Sequence, residues 1–214
     1  MRETLDQIAV ACGADKSSLC HNYTAAYEPW FAPLRDQPIT LLEIGVGGGH
    51  SLRMWQRYFS AARIIGVEIN REAALAGLRV IYGDATNPGV ILAACSAALH
   101  RRFDVVIDDG SHRWADQDRS FALLWPLLAL GGQYWIEDLH TSYWPSHGDA
   151  TYRPTMEILK SLADDVQMRG KPPEGPDCRA DRGAVLDWAA TPMERTVAEV
   201  HFWKGLALVV KQCS

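Results

Sequence analysis

The chain has 214 residues, a formal net charge of -5, and 48% hydrophobic against 22% charged residues. That length suits one domain around a single core, and the acidic balance excludes a footprint for nucleic acid or an anionic membrane, so small-molecule partners are expected. Cys12, Cys20, Cys95, Cys178 and Cys213 are scattered without Cys-x-x-Cys spacing. This argues against a disulfide framework or a zinc site and for a reducing, cytoplasmic setting. The first residues carry acids where a signal peptide needs an apolar core, and no run approaches the ~20 apolar residues of a membrane span.

Leu5, Ile8, Ala9 and Cys12 recur at helical spacing behind Thr4, a suitable N-cap, and Gly13 supplies a stop. Tyr27, Trp30, Phe31 and Leu34 then form an aromatic helical face that reads as core packing. Residues 39–44 are an apolar run closed by four glycines within positions 45–49, after which Leu52, Trp55 and Phe59 return to helical spacing. This is a buried strand, a glycine turn and a helix. Such a turn lets the backbone approach a ligand closely, and the amides opening the helix favour a negative group. A dinucleotide fingerprint needs glycine at the sixth position, where His50 stands, so NAD is disfavoured. The pattern Glu43-x-Gly45-x-Gly47-x-Gly49, with Ser51 beyond it, resembles instead the first motif of the class I S-adenosylmethionine (SAM) methyltransferases. The resemblance implies cofactor contacts at Glu43, Gly45, Gly47, Gly49 and Ser51.

A second strand, residues 62–69, brings Glu68 about 20 residues past the glycines, where an acid on a nucleotide-binding sheet accepts from ribose hydroxyls. A third, 79–84, ends in Gly83-Asp84, and the resemblance gives Asp84 the adenine amino group. Asn87-Pro88 opens a helix over 90–99. A fourth strand, from Phe103, runs into Asp108-Asp109-Gly110-Ser111-His112. The spacing predicts a helix from about Ala115 to Leu130, presenting Phe121, Leu124 and Leu128 to the sheet and stopped by Gly131-Gly132. The fifth strand, 133–138, ends in Glu137-Asp138. Residues 139–153 form a loop rich in Tyr, Trp and His, 155–167 a helix, and 171–182 a proline- and glycine-rich excursion. Runs 197–203 and 206–211 flank Lys204-Gly205 as a β-hairpin whose last strand must lie antiparallel to its neighbour. The expected fold is α/β: a Rossmann-like class I methyltransferase sheet, mostly parallel, with a C-terminal antiparallel hairpin and helices on both faces. The expected organisation is one domain over 1–214, with a helical cap at 1–37, a cofactor core at 38–139, a substrate loop, helix and excursion at 140–195, and the hairpin at 196–214.

Ligands bind beyond the carboxyl ends of strands in open parallel sheets, so Glu43, Glu68, Asp84, Asp108, Asp109, Glu137 and Asp138 should share one rim. With strands four and five adjacent, Asp109, Glu137 and Asp138 converge as an oxygen set suited to a hard cation such as Mg²⁺, leaving positions for water or substrate oxygens. A bound cation stabilises a developing alkoxide, and His112, as an imidazole with an ordinary pKa of ~6.5, suits the general base. Asp108 points to the opposite face of its strand and suits the cofactor side. His21, Tyr23, His140, Tyr143, Trp144 and His147 are candidates for acceptor contact, whereas His50, His100 and His201 read as structural.

Four segments carry a more specific resemblance: Asp15-Lys16 with His21-Asn22-Tyr23; residues 41–45; Val106-Ile107-Asp108-Asp109-Gly110-Ser111-His112; and residues 136–145, Ile-Glu-Asp-Leu-His-Thr-Ser-Tyr-Trp-Pro. They resemble the metal-dependent sugar O-methyltransferases of antibiotic biosynthesis, of the mycinamicin and tetracenomycin type. The resemblance implies SAM and Mg²⁺ as cofactors, Asp109, Glu137 and Asp138 as metal ligands, His112 as base, and a deoxysugar hydroxyl on a glycosylated natural product as acceptor. Ala85 stands where glutamine is usual in that family. A catechol-like O-methyltransferase and a non-catalytic SAM-binding partner are the alternatives. The eight tryptophans and the aromatic N-terminal segment point to a homo-oligomer.

Overall fold

The computed structural model describes residues 2–71, 75–148, 151–168 and 196–213. Strands β1 (Thr40–Ile44), β2 (Arg63–Glu68), β3 (Val80–Tyr82), β4 (Phe103–Asp108), β5 (Leu128–Ile136), β6 (Val197–Trp203) and β7 (Leu206–Lys211) make one sheet in the order β3-β2-β1-β4-β5-β7-β6. The first five run parallel, and β7 is antiparallel to both β5 and β6. The chain order reverses direction across the sheet between β1 and β4, which opens a crevice at their carboxyl ends.

Alternation along the strands builds two cores. Leu41, Val105, Trp135 and Leu208 face one side, where they meet α1 (Leu5–Cys12), α2 (Thr24–Phe31) and α3 (His50–Tyr58) through Leu5, Ile8, Phe31 and Trp55. Leu42, Ile65, Val106, Tyr134 and Val209 face the other, against α4 (Pro88–Ala97), α5 (Trp114–Leu124) and α6 (Thr155–Met168). The aromatic face of α2 is core as expected, since Tyr27 and Phe31 are fully buried. Phe31 lies 5.4 Å from Trp55 and 5.6 Å from Trp135 between ring centroids. Thr4 caps α1 reciprocally with Gln7, and Asn87 caps α4 through the Gly89 amide. Among the described residues no helix is long and apolar enough to cross a membrane.

One boundary differs from the sequence expectation. The helix predicted to Leu130 ends at Leu124, passes through a 3-10 turn at Trp125–Leu127, and gives way to β5 already at Leu128. Pro126 has no amide hydrogen with which to continue the helix. Buried Lys211 donates to the Trp125 and Leu128 carbonyls at 2.7 and 3.0 Å, holding the junction. Gly131-Gly132 therefore do not stop a helix. They lie within β5 where its pairing with β4 jumps from Phe103↔Leu128 to Val105↔Gln133. The 171–182 excursion lies outside the described residues.

Gly45 is the tightest point of the frame. Its φ is +78°, and a Cβ there would stand 1.9 Å from the Asp109 carbonyl oxygen. Gly45→Ala must therefore either distort the loop after β4 or strain its own backbone. The expected result is a loss of about 3 kcal/mol or more, read as a melting temperature lowered by about 6–12 °C.

Candidate active site

A cavity of about 550 Å³ opens at the carboxyl ends of β1, β2 and β4. The glycine turn forms one wall, Glu68 and Asp84 another, and the segment 108–112 a third. Gly45, Gly47, Ser51, Glu68, Asp84 and Asp108 all line it. Gly47 keeps open space where a side chain would project, so that turn presents bare backbone.

Two expected cofactor residues lie elsewhere. Glu43 and Gly49 are absent from the lining. Glu43 is fully buried on β1, where its Oε2 accepts from Ser51 Oγ at 2.9 Å and its Oε1 faces Lys16 Nζ at 3.5 Å. Burial, only partly offset by Lys16, pushes its carboxyl up to about 7. Gly49 is the left-handed N-cap of α3, crowded by Leu75 and Leu78.

Glu68 lines the cavity, yet its oxygens are already engaged. Oε2 accepts from the Val46 and Gly47 amides at 2.8 Å each, and Oε1 from the Asn70 amide at 2.7 Å. Glu68 thus fastens the glycine turn to β2. Burial opposes its ionisation, but the Asn70, Gly47 and Val46 amides outweigh that and hold its pKa below the usual 4.5. Asp84 accepts from the Thr86 amide and hydroxyl through Oδ1, and Asp108 accepts from Ser120 Oγ and Tyr134 OH through Oδ2.

The acid rim continues from Asp109 to β5, and the structure sorts its carboxylates into two levels. In the inner level Lys16, with no exposed surface, places Nζ 2.6 Å from Asp109 Oδ2 and 2.9 Å from Glu137 Oε2. Burial works against the ammonium, but Asp109, Glu137 and Glu43 more than compensate and hold its pKa well above the ordinary lysine value. Glu137 accepts from Tyr27 OH with its other oxygen, at 2.6 Å. Burial and the neighbouring Asp109 raise the Glu137 pKa, against Lys16 and Tyr27. In the outer level Asp109 Oδ1 and Asp138 Oδ2 stand 3.9 and 3.5 Å from His112 Nε2. Asp109, His112 and Asp138 offer ligand atoms within 4.8 Å of one another, the one such grouping among the described residues.

That spacing fits a hard cation with bonds of ~2.0–2.6 Å, and two carboxylates form a suitable donor pair. His112 Nδ1 is buried without a hydrogen-bond partner. The expected ligand Glu137 is not in the outer group, because its oxygens are committed to Lys16 and Tyr27. His112 and Asp138 both have left-handed backbones, φ 56° and 53°, a strain that persists only where surroundings enforce it. Thr141 Oγ1 donates to the Asp138 carbonyl at 2.8 Å and lies 3.3 Å from the His112 carbonyl, between the two.

The candidate acceptor residues lie outside the cavity lining apart from this group. Tyr23 is buried, its hydroxyl 2.7 Å from Asp138 Oδ1, with exposed His21 stacked on its ring at 5.1 Å. Exposed His140 and Trp144 and half-buried His147 form a run of ring contacts beyond Asp138, next to Tyr143 at 67% exposure. His50 does reach the cavity rim, although its Nδ1 is engaged by the Cys12 carbonyl. Sequence reasoning missed Lys16 and Tyr27 as site residues. The available signal was a lysine and a tyrosine in a segment otherwise destined for the core.

The strand order and rim site define the class I methyltransferase fold. No family model matches the chain. It is 39% identical over 97% of its length to an 8-demethyl-8-alpha-L-rhamnosyl tetracenomycin-C 2'-O-methyltransferase of Streptomyces olivaceus, covering 54% of that protein. It is 35% identical over 92% of its length to a mycinamicin VI 2''-O-methyltransferase of Micromonospora griseorubida, covering 49% of it. The structure superposes with a TM-score of 0.82 on the mycinamicin-pathway methyltransferase MycE in complex with Mg and SAH, at 30% identity over 99% of this chain and 54% of MycE. The chain is thus a homologue of the sugar O-methyltransferases of antibiotic pathways, and spans about half the length of the curated relatives it matches.

The Glu68 clamp generates a pH-dependent expectation. A carboxylate whose pKa is lowered on folding stabilises the protein fully above pH ~4.5, and that contribution fades as pH falls through the lowered value. Glu68→Gln should therefore cost about 1–3 kcal/mol in urea unfolding at pH 7, and the gap to wild type should narrow below pH ~4.

Proposed function

We propose that the chain is a SAM- and Mg²⁺-dependent O-methyltransferase that methylates a sugar hydroxyl of a glycosylated natural product. The observation that carries this is the convergence of Asp109, His112 and Asp138 at the edge of a cavity whose walls are the glycine turn, Glu68 and Asp84. The likeness to rhamnosyl tetracenomycin and mycinamicin methyltransferases supports the acceptor class, and the match to MycE with Mg and SAH supports the cofactors.

When bound, SAM supplies an electrophilic methyl group and the cation supplies Lewis-acid stabilisation of an alkoxide. Asp109 Oδ1 and Asp138 Oδ2 are the proposed donors to the cation. Glu137 is the third carboxylate of the proposed set, and joins it by exchanging its hydrogen bond with Lys16 or Tyr27 for the cation. His112, whose Nε2 lies at the edge of the same carboxylate pair, takes the acceptor hydroxyl's proton there. The glycine turn and Ser51 hold the cofactor, with Asp84 at its adenine end and Asp108 beside the acid segment. The exposed rings of Tyr143 and Trp144 offer a face for the sugar or aglycone. A homo-oligomer has a surface available in Phe202 and Trp203 on edge strand β6, 42% and 38% exposed, and light scattering decides it.

Calorimetric titration with sinefungin, a SAM analogue, and with Mg²⁺ tests the two-ligand arrangement. Wild type should bind both, whereas Asp109→Ala combined with Asp138→Ala should keep the analogue and lose the metal. Absence of metal binding by wild type would refute the mechanism. His112→Ala should retain analogue binding and lose about 10²- to 10⁴-fold in methyl transfer to a rhamnosylated acceptor. Turnover of catechols alone would favour the phenolic alternative. Analogue binding with no turnover of either acceptor class would favour a non-catalytic SAM binder.

A further inference from the structure

The two outer carboxylates share an arrangement that their own strands do not explain. Each has one oxygen held from behind by the N-terminal segment and the other left facing His112. Asp109 Oδ2 is taken by Lys16 Nζ at 2.6 Å while Oδ1 looks outward, and Asp138 Oδ1 is taken by Tyr23 OH at 2.7 Å while Oδ2 looks outward. The holders are themselves fixed. Lys16 is fully buried and ties to Glu137 as well, and Tyr23 OH also donates to the Gly205 carbonyl at 3.1 Å. The segment between them is pinned by backbone bonds from His21 to Asp15 and from Thr24 to Lys16, and by Asp6, which accepts from Ser18 and Thr24.

From this geometry we propose that Lys16 and Tyr23 are positioning residues for the cation site. They lock the rear oxygens of Asp109 and Asp138 so that the front oxygens form a preorganised pair. The inference rests on the metal-dependent reading above and extends it to a segment outside the cofactor core. A carboxylate gripped at one oxygen pays less ordering cost when the other takes a ligand, and partners of this kind commonly set metal affinity by 10- to 100-fold. Tyr23 therefore acts through Asp138 rather than through contact with the acceptor.

The test is the affinity for Mn²⁺ alone, read from the electron paramagnetic resonance signal of the free ion, beside calorimetric affinity for sinefungin. Tyr23→Phe removes one oxygen and keeps the buried ring, and it should weaken Mn²⁺ binding about tenfold or more while sinefungin affinity stays within about threefold. Lys16→Met removes the hold on Asp109 together with a positive charge that repels the cation, so Tyr23→Phe, which changes no charge, is the deciding variant. Wild-type Mn²⁺ affinity in Tyr23→Phe overturns the proposal, as does a parallel fall in both affinities, which is the mark of a general structural defect. If wild type binds sinefungin but no Mn²⁺, the metal reading itself fails and takes this inference with it.

Discussion

No side chain fits where Gly45 passes the Asp109 carbonyl, and the site depends on that closeness. β1 delivers the glycine turn and β4 delivers the acid segment, as neighbours on opposite sides of the reversal in strand order. Because the two loops touch backbone to backbone, the cofactor wall and the acid wall belong to one cavity. The Asp109 amide completes the join by donating to the Ile44 carbonyl at 2.9 Å.

Acids at the carboxyl rim share a position but not a task. Glu68 fastens the glycine turn, Glu43 carries Ser51, and Asp108 is held by Ser120 and Tyr134. Glu137 balances a buried lysine. Only Asp109 and Asp138 turn an oxygen toward His112. A buried charge is tolerated when its partners are close, and here one ammonium contacts three carboxylates, all of which have pKa values raised, chiefly by burial.

Much of this was legible in the sequence. Strand runs bounded by glycine, acids at strand ends and the terminal hairpin gave the sheet, because period and punctuation are local properties. The α5 to β5 junction was not legible. Gly131-Gly132 is a credible helix stop, and only the long-range grip of Lys211 on the Trp125 and Leu128 carbonyls shows that the helix has ended at Pro126. The same limit applied to the site. Sequence placed Asp109, Glu137 and Asp138 together, with His112 beside them, because they leave adjacent strands. It could not show that Glu137 and Glu43 face inward, since that depends on Lys16, 121 and 27 residues away along the chain. Likewise nothing local to Tyr23 shows that its hydroxyl meets Asp138, 115 residues downstream.

The Gly205 carbonyl, at the turn of the last hairpin, accepts from Tyr23 OH and from the Leu139 amide. That single oxygen joins the beginning of the chain to its end across 182 residues, at the edge of the acid cluster. Contacts of such separation close long loops, whose ordering entropy they must offset. During synthesis the glycine turn and the strands beside it can assemble while the hairpin is still being made. The acid site is therefore complete only with β7 docked, because Tyr23, which holds Asp138, also leans on the hairpin turn.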